Sequence, residues 1–300
     1  MTATQATVRP PLPAGTRPVE GYEIIGLLDR TGWMDVYDSW SEERACRCVI
    51  KMVRPDLRDD PEPADRLLRE GRWLREFTHP HLARAYETFT EPEPLVVMET
   101  LTGETLAHLI GRLRRRPAAT DVALLGVQLC SAVHYLHGRG LLHLDLKPSN
   151  VVVDRGHAKL LDLSTAQPPG DAPSGVGTFG YLSPEQARGG LLTEAADVWG
   201  IGATLYEVAG GDAPFHRADR DERDDRGERG ETGTYDRTGR TTGDRRYPQL
   251  EAAAPPIASL RRLPRPLAAL IDGCLSRDPA DRPTVRELTA ALGALLPAPV

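Results

Sequence analysis

The hydrophobic pattern of this chain changes period once, near Met98, and that change limits the folds open to it. From Gly21 to about Met98, short apolar runs (YEIIGLL, VYDSW, CRCVIKMV, LVVMET) alternate with polar stretches. Runs of this length predict strands of an antiparallel sheet. One helix interrupts them, starting near Pro63 and running through RLLREGRWLREF, with Leu67, Gly71 and Leu74 on one face. Beyond that point the apolar segments lengthen. TDVALLGVQLCSAVHYLH is apolar nearly all round, which predicts a buried helix with Thr120 or Asp121 as its N-cap. TEAADVWGIGATLYEVAGG predicts another, ended by glycines. Thr284 and Glu287 form a capping box that opens a last helix, whose Val285, Leu288, Leu292 and Leu295 share a face. The expected fold class is therefore α+β, with a small β lobe over about 21–98 and a larger, mainly helical lobe over about 102–296.

Two segments fall outside this pattern. Residues 1–20 are rich in proline and predict a flexible tail. Residues 217–246 are charged or small, with arginines that balance their acids, and predict a disordered insertion. Interleaved acids argue against RNA as its partner. The net charge of −6 gives no reason to expect nucleic acid or an anionic membrane. No stretch reads as a membrane span, and the start MTATQATVRPPLPAGTRP lacks an apolar signal core. Four cysteines without a Cys-x-x-Cys pair predict a reduced, cytoplasmic chain, with Cys46 and Cys48 as alternate residues of a strand.

A cluster of polar residues carries the chemistry. Lys51 shares a strand face with Val49, where a lysine is ordinarily a snorkelling surface group. Glu70, however, stands between Leu67 and Leu74 on the inward face of the helix, and a charge placed there needs a partner. Lys51 is the nearest in chain order. Further on, HLDLKPSNVVVD (143–154) sets His143, Asp145, Lys147 and Asn150 in a short turn before a run of valines. Asp162 follows the hairpin VVVD…AKLLD. Two carboxylates and an amide at one end of a small sheet suit Mg²⁺, and Lys147 suits a phosphoryl oxygen. Any one of these aspartates alone would read as a turn residue.

The turn resembles the catalytic loop of protein kinases. The resemblance continues in order through CVIK ending at Lys51, Glu70, Leu-Asp162-Leu-Ser, GTFGYLSPE (177–185), DVWGIG from Asp197, and Asp278-Pro…Asp281-Arg282-Pro283. It covers roughly residues 21–296 and is similar to the bacterial members of the serine/threonine branch. It implies a two-lobed kinase fold whose small lobe carries helix C. It also implies transfer of the γ-phosphate of ATP, with Mg²⁺, to the hydroxyl of a protein substrate. Asp145 would accept the hydroxyl proton, with Lys147 and Thr178 supporting it. Asn150 and Asp162 would hold Mg²⁺, and Lys51, steadied by Glu70, would grip the α/β-phosphates. Val36, Val49 and Val152 would line the adenine pocket, to which Glu99 and Leu101 would offer backbone groups. Asp197 would brace the catalytic loop, and Glu185 would pair with Arg282.

The chain departs from the family in its phosphate-binding loop. Asp29-Arg30-Thr31-Gly32-Trp33-Met34-Asp35-Val36 stands where G-x-G-x-x-G-x-V is expected, so all three patterned glycines are gone. Asp29 and Asp35 would bring negative charge near the phosphates. Leu163-Ser164 replaces Phe-Gly after the metal aspartate, and Leu144 replaces the usual arginine. Three readings stay open: an active kinase slowed by its lid, a pseudokinase scaffold, and a small-molecule phosphotransferase. Retention of Lys51, Glu70, Asp145, Asn150 and Asp162 together favours the first.

Overall fold

The computed structural model describes residues 9–215 and 247–297. They divide into two units, the first holding the chain up to Thr78 together with Leu82–Leu101. The second holds His79–His81 and the chain from Thr102 onward. Residues 1–8 and the expected insertion at 217–246 lie outside the described residues.

The first unit is built on a five-stranded antiparallel sheet in the order β1-β2-β3-β5-β4. Its strands are β1 (Tyr22–Arg30), β2 (Met34–Ser41), β3 (Cys46–Val53), β4 (Ala85–Phe89) and β5 (Leu95–Glu99). All four apolar runs are strands. β4 carried no comparable signal, because only its first residue, Ala85, is buried. Side chains alternate across a strand, so Cys48, Ile50 and Met52 of β3 meet Leu95 and Val97 of β5 in one buried cluster with Tyr22, Ile24 and Tyr37. Cys46 is exposed, Cys48 is buried, and both thiols are free.

Helix α1 (Pro61–Glu76) begins two residues before the expected Pro63. Asp60 caps it by accepting the N–H of Glu62 at 3.1 Å, and Pro61 fits the first position, where no N–H is needed. Its buried face is Pro63, Leu67, Glu70, Gly71 and Leu74. At Gly71 the helix lies so close to the sheet that a Cβ would stand 2.6 Å from methyls of Thr88 and Val96.

The expected flexible tail is corrected from residue 9 onward. Leu12 donates its N–H to the Tyr37 hydroxyl at 2.9 Å, and the Gly15 N–H reaches the Ile24 carbonyl at 2.8 Å. Leu12 and Val19 pack on the sheet cluster. Proline already restricts the unfolded backbone, so ordering this segment loses less entropy than its composition suggests.

The second unit is mainly helical: α2 (Leu106–Arg112), α3 (Ala119–His137), α4 (Pro184–Arg188), α5 (Glu194–Gly210), α6 (Pro248–Glu251), α7 (Arg265–Cys274) and α8 (Val285–Gly293). Strands β6 (Glu104–Thr105), β7 (Val151–Asp154) and β8 (His157–Leu160) form one small sheet, and β9 (Gly170–Ala172) pairs with β10 (Gly190–Leu192). α3 packs against α5 and α8. Its N-cap is Ala118, not Thr120 or Asp121; Asp121 sits in the first turn, where its carboxylate accepts the Ala118 N–H at 3.1 Å. At 19 residues, α3 is long and apolar enough to cross a membrane, contrary to the reading from sequence. Val122, Leu125, Leu129, Val133 and Leu136 are instead buried within this unit. α8 shows the expected capping box and buries Val285, Leu288 and Leu292, but it ends at Gly293, so Leu295 lies beyond it and is half-buried.

Candidate active site

In the first unit, Lys51 and Glu70 meet as expected. Nζ stands 2.6 Å from Oε1, with Lys51 6 % and Glu70 1 % exposed. The pair exists because β3 presents Lys51 to α1, while Leu67, Gly71 and Leu74 turn Glu70 toward the sheet. Lys51 lies opposite Val36 on β2, and Val49 lies opposite Met98 on β5. Glu99 donates its N–H to the Arg84 carbonyl at 3.0 Å and accepts the Arg84 N–H at 2.9 Å. Leu101 ends this unit.

The loop between β1 and β2 is the largest correction. It has three residues, Thr31-Gly32-Trp33, and side chains pin it. The Thr31 hydroxyl accepts the Met34 N–H at 3.0 Å, and one Arg54 nitrogen reaches the carbonyls of Thr31 and Gly32 at 3.3 Å each. Trp33 is buried, with the Arg66 guanidinium of α1 4.7 Å above its ring. Asp35 does not present its charge to a ligand. It is fully buried, 3.0 Å from Arg30 Nε, and accepts the Tyr37 hydroxyl at 3.0 Å. Burial pushes its carboxyl up from the ordinary range, and Tyr37 and Arg30 oppose that shift. Of the two loop carboxylates only Asp29 is exposed.

In the second unit, the polar turn is built around Asp145. Its Oδ1 accepts the Thr178 hydroxyl at 2.6 Å, and its Oδ2 accepts Lys147 Nζ at 2.8 Å and Asn150 Nδ2 at 3.0 Å. Lys147 also donates to the Thr178 hydroxyl. Asn150 Nδ2 further holds the Asp145 carbonyl at 2.9 Å. The hairpin of β7 and β8 returns the chain so that the Leu161 N–H meets the Asn150 carbonyl at 3.0 Å, which sets Asp162 beside the turn. Asp162 Oδ1 accepts the Ser164 N–H at 2.6 Å. Val152 is buried on β7.

The turn is braced from α5. Asp197 accepts the N–H groups of His143 and Leu144 at 2.8 Å each, and His137 Nε2 lies 2.8 Å from the same carboxylate. Leu144 has φ 64°, a region that non-glycine residues seldom enter. Complete burial lowers the pKa of His143, so its ring is neutral and its Nδ1 accepts the Asp145 N–H at 3.2 Å. Glu185 and Arg282 form the expected pair in bidentate geometry, at 2.6 and 2.9 Å.

Sequence reasoning missed Gln186. Its Nε2 donates to the carbonyls of Leu144 and Val176 at 2.8 Å each, tying the turn around Asp145 to the segment that follows Asp162. The signal was present, since Ser183-Pro-Glu-Gln186 is a capping box, and it caps α4 here.

The protein kinase domain model matches residues 27–291. The chain belongs to the protein kinase family. Within it, the relatives place the chain in the bacterial serine/threonine branch. The serine/threonine-protein kinase PknB of Mycobacterium leprae is 31 % identical over 206 residues, covering 65 % of this chain and 33 % of the relative. The DNA damage-responsive serine/threonine-protein kinase RqkA of Deinococcus radiodurans is 33 % identical over 216 residues, covering 68 % and 32 %. The chain thus spans about a third of the length of the curated relatives it matches. The crystal structure of the PknI kinase domain of Mycobacterium tuberculosis, determined on a cysteine-to-alanine mutant, superposes with a TM-score of 0.67 at 21 % identity. That match covers 95 % of this chain and 98 % of the other, and it shows the same fold, an antiparallel β lobe and a helical lobe.

Proposed function

We propose that this chain is a serine/threonine protein kinase that transfers the γ-phosphate of ATP to a protein hydroxyl, from a kinase domain spanning about 21–296. The observation that carries the reading is the Asp145 carboxylate, held by Lys147 and Asn150 of its own turn and by Thr178 of the segment after Asp162. Fixed donors preset its orientation, so little reorganisation is needed when a hydroxyl arrives.

The residues suit ATP and Mg²⁺. Asn150 commits its amide nitrogen to Asp145, which leaves the amide oxygen for a cation, and Asp162 adds a carboxylate. Hard oxygen donors of this kind are what Mg²⁺ takes. Bound ATP supplies the phosphoryl group, and Mg²⁺ neutralises its oxygens. Asp145 accepts the proton of the attacking hydroxyl. Lys147, shared between Asp145 and Thr178, offsets negative charge as the phosphoryl group moves. Lys51 grips phosphate oxygens, and Glu70 keeps its ammonium on the sheet side of α1.

The pinned loop lacks all three patterned glycines, so we expect weaker nucleotide binding or slower turnover than a glycine lid gives. The net charge of −6 supports a protein substrate over nucleic acid. Free cysteines agree with a cytoplasmic setting. A radiolabelled transfer assay with a generic protein acceptor tests the proposal. Loss of a general base typically lowers rate by ~10²–10⁴-fold, so Asp145→Asn should reduce incorporation at least ~100-fold. Incorporation equal in wild type and Asp145→Asn would overturn the reading in favour of a scaffold without catalysis.

A further inference from the structure

The geometry points to a binding site for an anionic amphiphile in the second unit, apart from the turn around Asp145. A cavity of about 240 Å³ opens there between α2, α3, α5 and the hairpin of β7 and β8. Leu106, Leu109 and Ile110 of α2, Leu125 of α3, Val153 of β7 and Val208 of α5 line it. An apolar cavity of ~150 Å³ holds a benzene ring. This one has room for a longer apolar group, on the order of ten carbons.

Its polar groups decide what the occupant carries. Both ends of the Gln128 amide are engaged, with Nε2 on the Gly156 carbonyl at 2.8 Å and Oε1 on the Ala158 N–H at 2.6 Å. Asp121 is engaged in capping α3. Arg116 also lines the cavity and forms no ion pair among the described residues. Its guanidinium lies against Gly211, where a Cβ would overlap it. Gly211 is the αL cap of α5, so Arg116 rests at the end of a helix where carbonyls point outward and a cation is favoured. The arginine is therefore placed by a helix terminus and keeps its charge for an anion. Arg114 and Arg115, exposed beside it, add to the positive field.

An apolar cavity lined by one guanidinium, Arg116, with Arg114 and Arg115 exposed beside it, and by one carboxylate, Asp121, already accepting the Ala118 N–H, fits one hydrocarbon chain with one anionic head group at the arginine side. A peptide fits less well, because its backbone N–H and C=O groups would need partners, and Gln128 and Asp121 are already taken. A flat lipid surface fits less well again, because the apolar lining encloses a cavity.

Isothermal titration calorimetry with dodecanoate, dodecanol and dodecyltrimethylammonium, each below its micelle concentration, tests the assignment. Dodecanoate should bind saturably at one site per chain, and dodecanol roughly tenfold more weakly, as expected for losing a charge-assisted hydrogen bond. Arg116→Gln, an exposed position, should bring dodecanoate to the affinity of dodecanol and leave dodecanol unchanged. Ile110→Trp should fill the cavity and abolish both; melting temperature checks that this variant folds, and the Arg116→Gln result stands without it. Absence of saturable dodecanoate binding to wild type overturns the proposal. So does equal affinity for the cationic amphiphile, or no effect of Arg116→Gln. Binding of an acidic, leucine-rich peptide in place of dodecanoate would reassign the cavity to a protein partner.

Discussion

Asp197 and His143 are buried polar residues that brace the turn around Asp145, Asp197 from α5 and His143 from the start of the turn itself. Asp197 accepts two consecutive N–H groups, and that pairing holds Leu144 at a positive φ. Strain of this kind persists where surrounding contacts over-determine it. His143 is fully buried with its pKa lowered from the ordinary 6.5. The unfolded chain therefore binds a proton at His143 before the folded one does as pH falls. Stability is full above about 6.5 and is lost as pH drops from there toward the lower folded value. His79, also lowered by burial, contributes in the same direction. Melting temperatures measured between pH 7.5 and 5.5 should fall for wild type, and His143→Asn should flatten part of that slope. A slope identical in wild type and His143→Asn would mean that the ring is not held neutral.

Two elements decide how this chain differs from its family pattern. The β1–β2 hairpin is closed by Thr31, Arg54, Trp33 and the Arg30–Asp35 pair. Replacing Asp29, Thr31 and Met34 together by glycine should therefore fail to build a better phosphate lid. Met34 is 3 % exposed, and losing a buried methionine side chain costs ~2–5 kcal/mol. Expected outcomes are a lower melting temperature and an ATP KM no better than wild type; an improved KM with unchanged stability would contradict this account of the hairpin. The segment after Asp162 is the second element. Leu144 packs with Leu142, Leu192 and Ala196, and Ala172 and Val176 of the segment lie on that cluster. Apolar packing and Gln186 hold what an arginine–phosphate pair holds elsewhere. Phosphatase-treated protein, shown unmodified by mass spectrometry, should keep the transfer rate of untreated protein, and a tenfold loss would refute the idea. The sequence alone made parts of this legible. His143, Asp145, Lys147 and Asn150 fall within eight residues, so local spacing was enough. Glu70 was legible because helix period and a buried charge point the same way. The closed hairpin was not, because missing glycines reveal what a loop lacks and not which side chains replace it. Gln186 acts on Leu144 across 42 positions, a distance at which capping chemistry says nothing about the partner.

Across the whole molecule, the polar pairings differ widely in their reach along the chain. Lys51 and Glu70 are 19 positions apart, Asp145 and Thr178 are 33 apart, and Glu185 and Arg282 are 97 apart. The last pair joins α4, which closes the segment after Asp162, to the stretch just before α8. Arg282 also donates to the carbonyls of Ser276 and Ala195 and lies 5.0 Å over the ring of Trp199. Its side chain has no exposed surface, and that of Glu185 only 10 %. Removing one partner of a buried pair leaves a charge uncompensated, which costs about 3–5 kcal/mol, whereas replacing both by apolar groups is often close to neutral. Arg282→Met should therefore lower the melting temperature by roughly 6–20 °C, at about 2–4 °C per kcal/mol for a chain of this size. The double variant Glu185→Met/Arg282→Met should recover part of that loss. The guanidinium's carbonyl contacts are not restored by methionine, so recovery should be incomplete. A thermal-denaturation double-mutant cycle measures the coupling directly. Additive losses, with no recovery in the double variant, would show that Arg282 stabilises the unit through its carbonyl and indole contacts and not through Glu185.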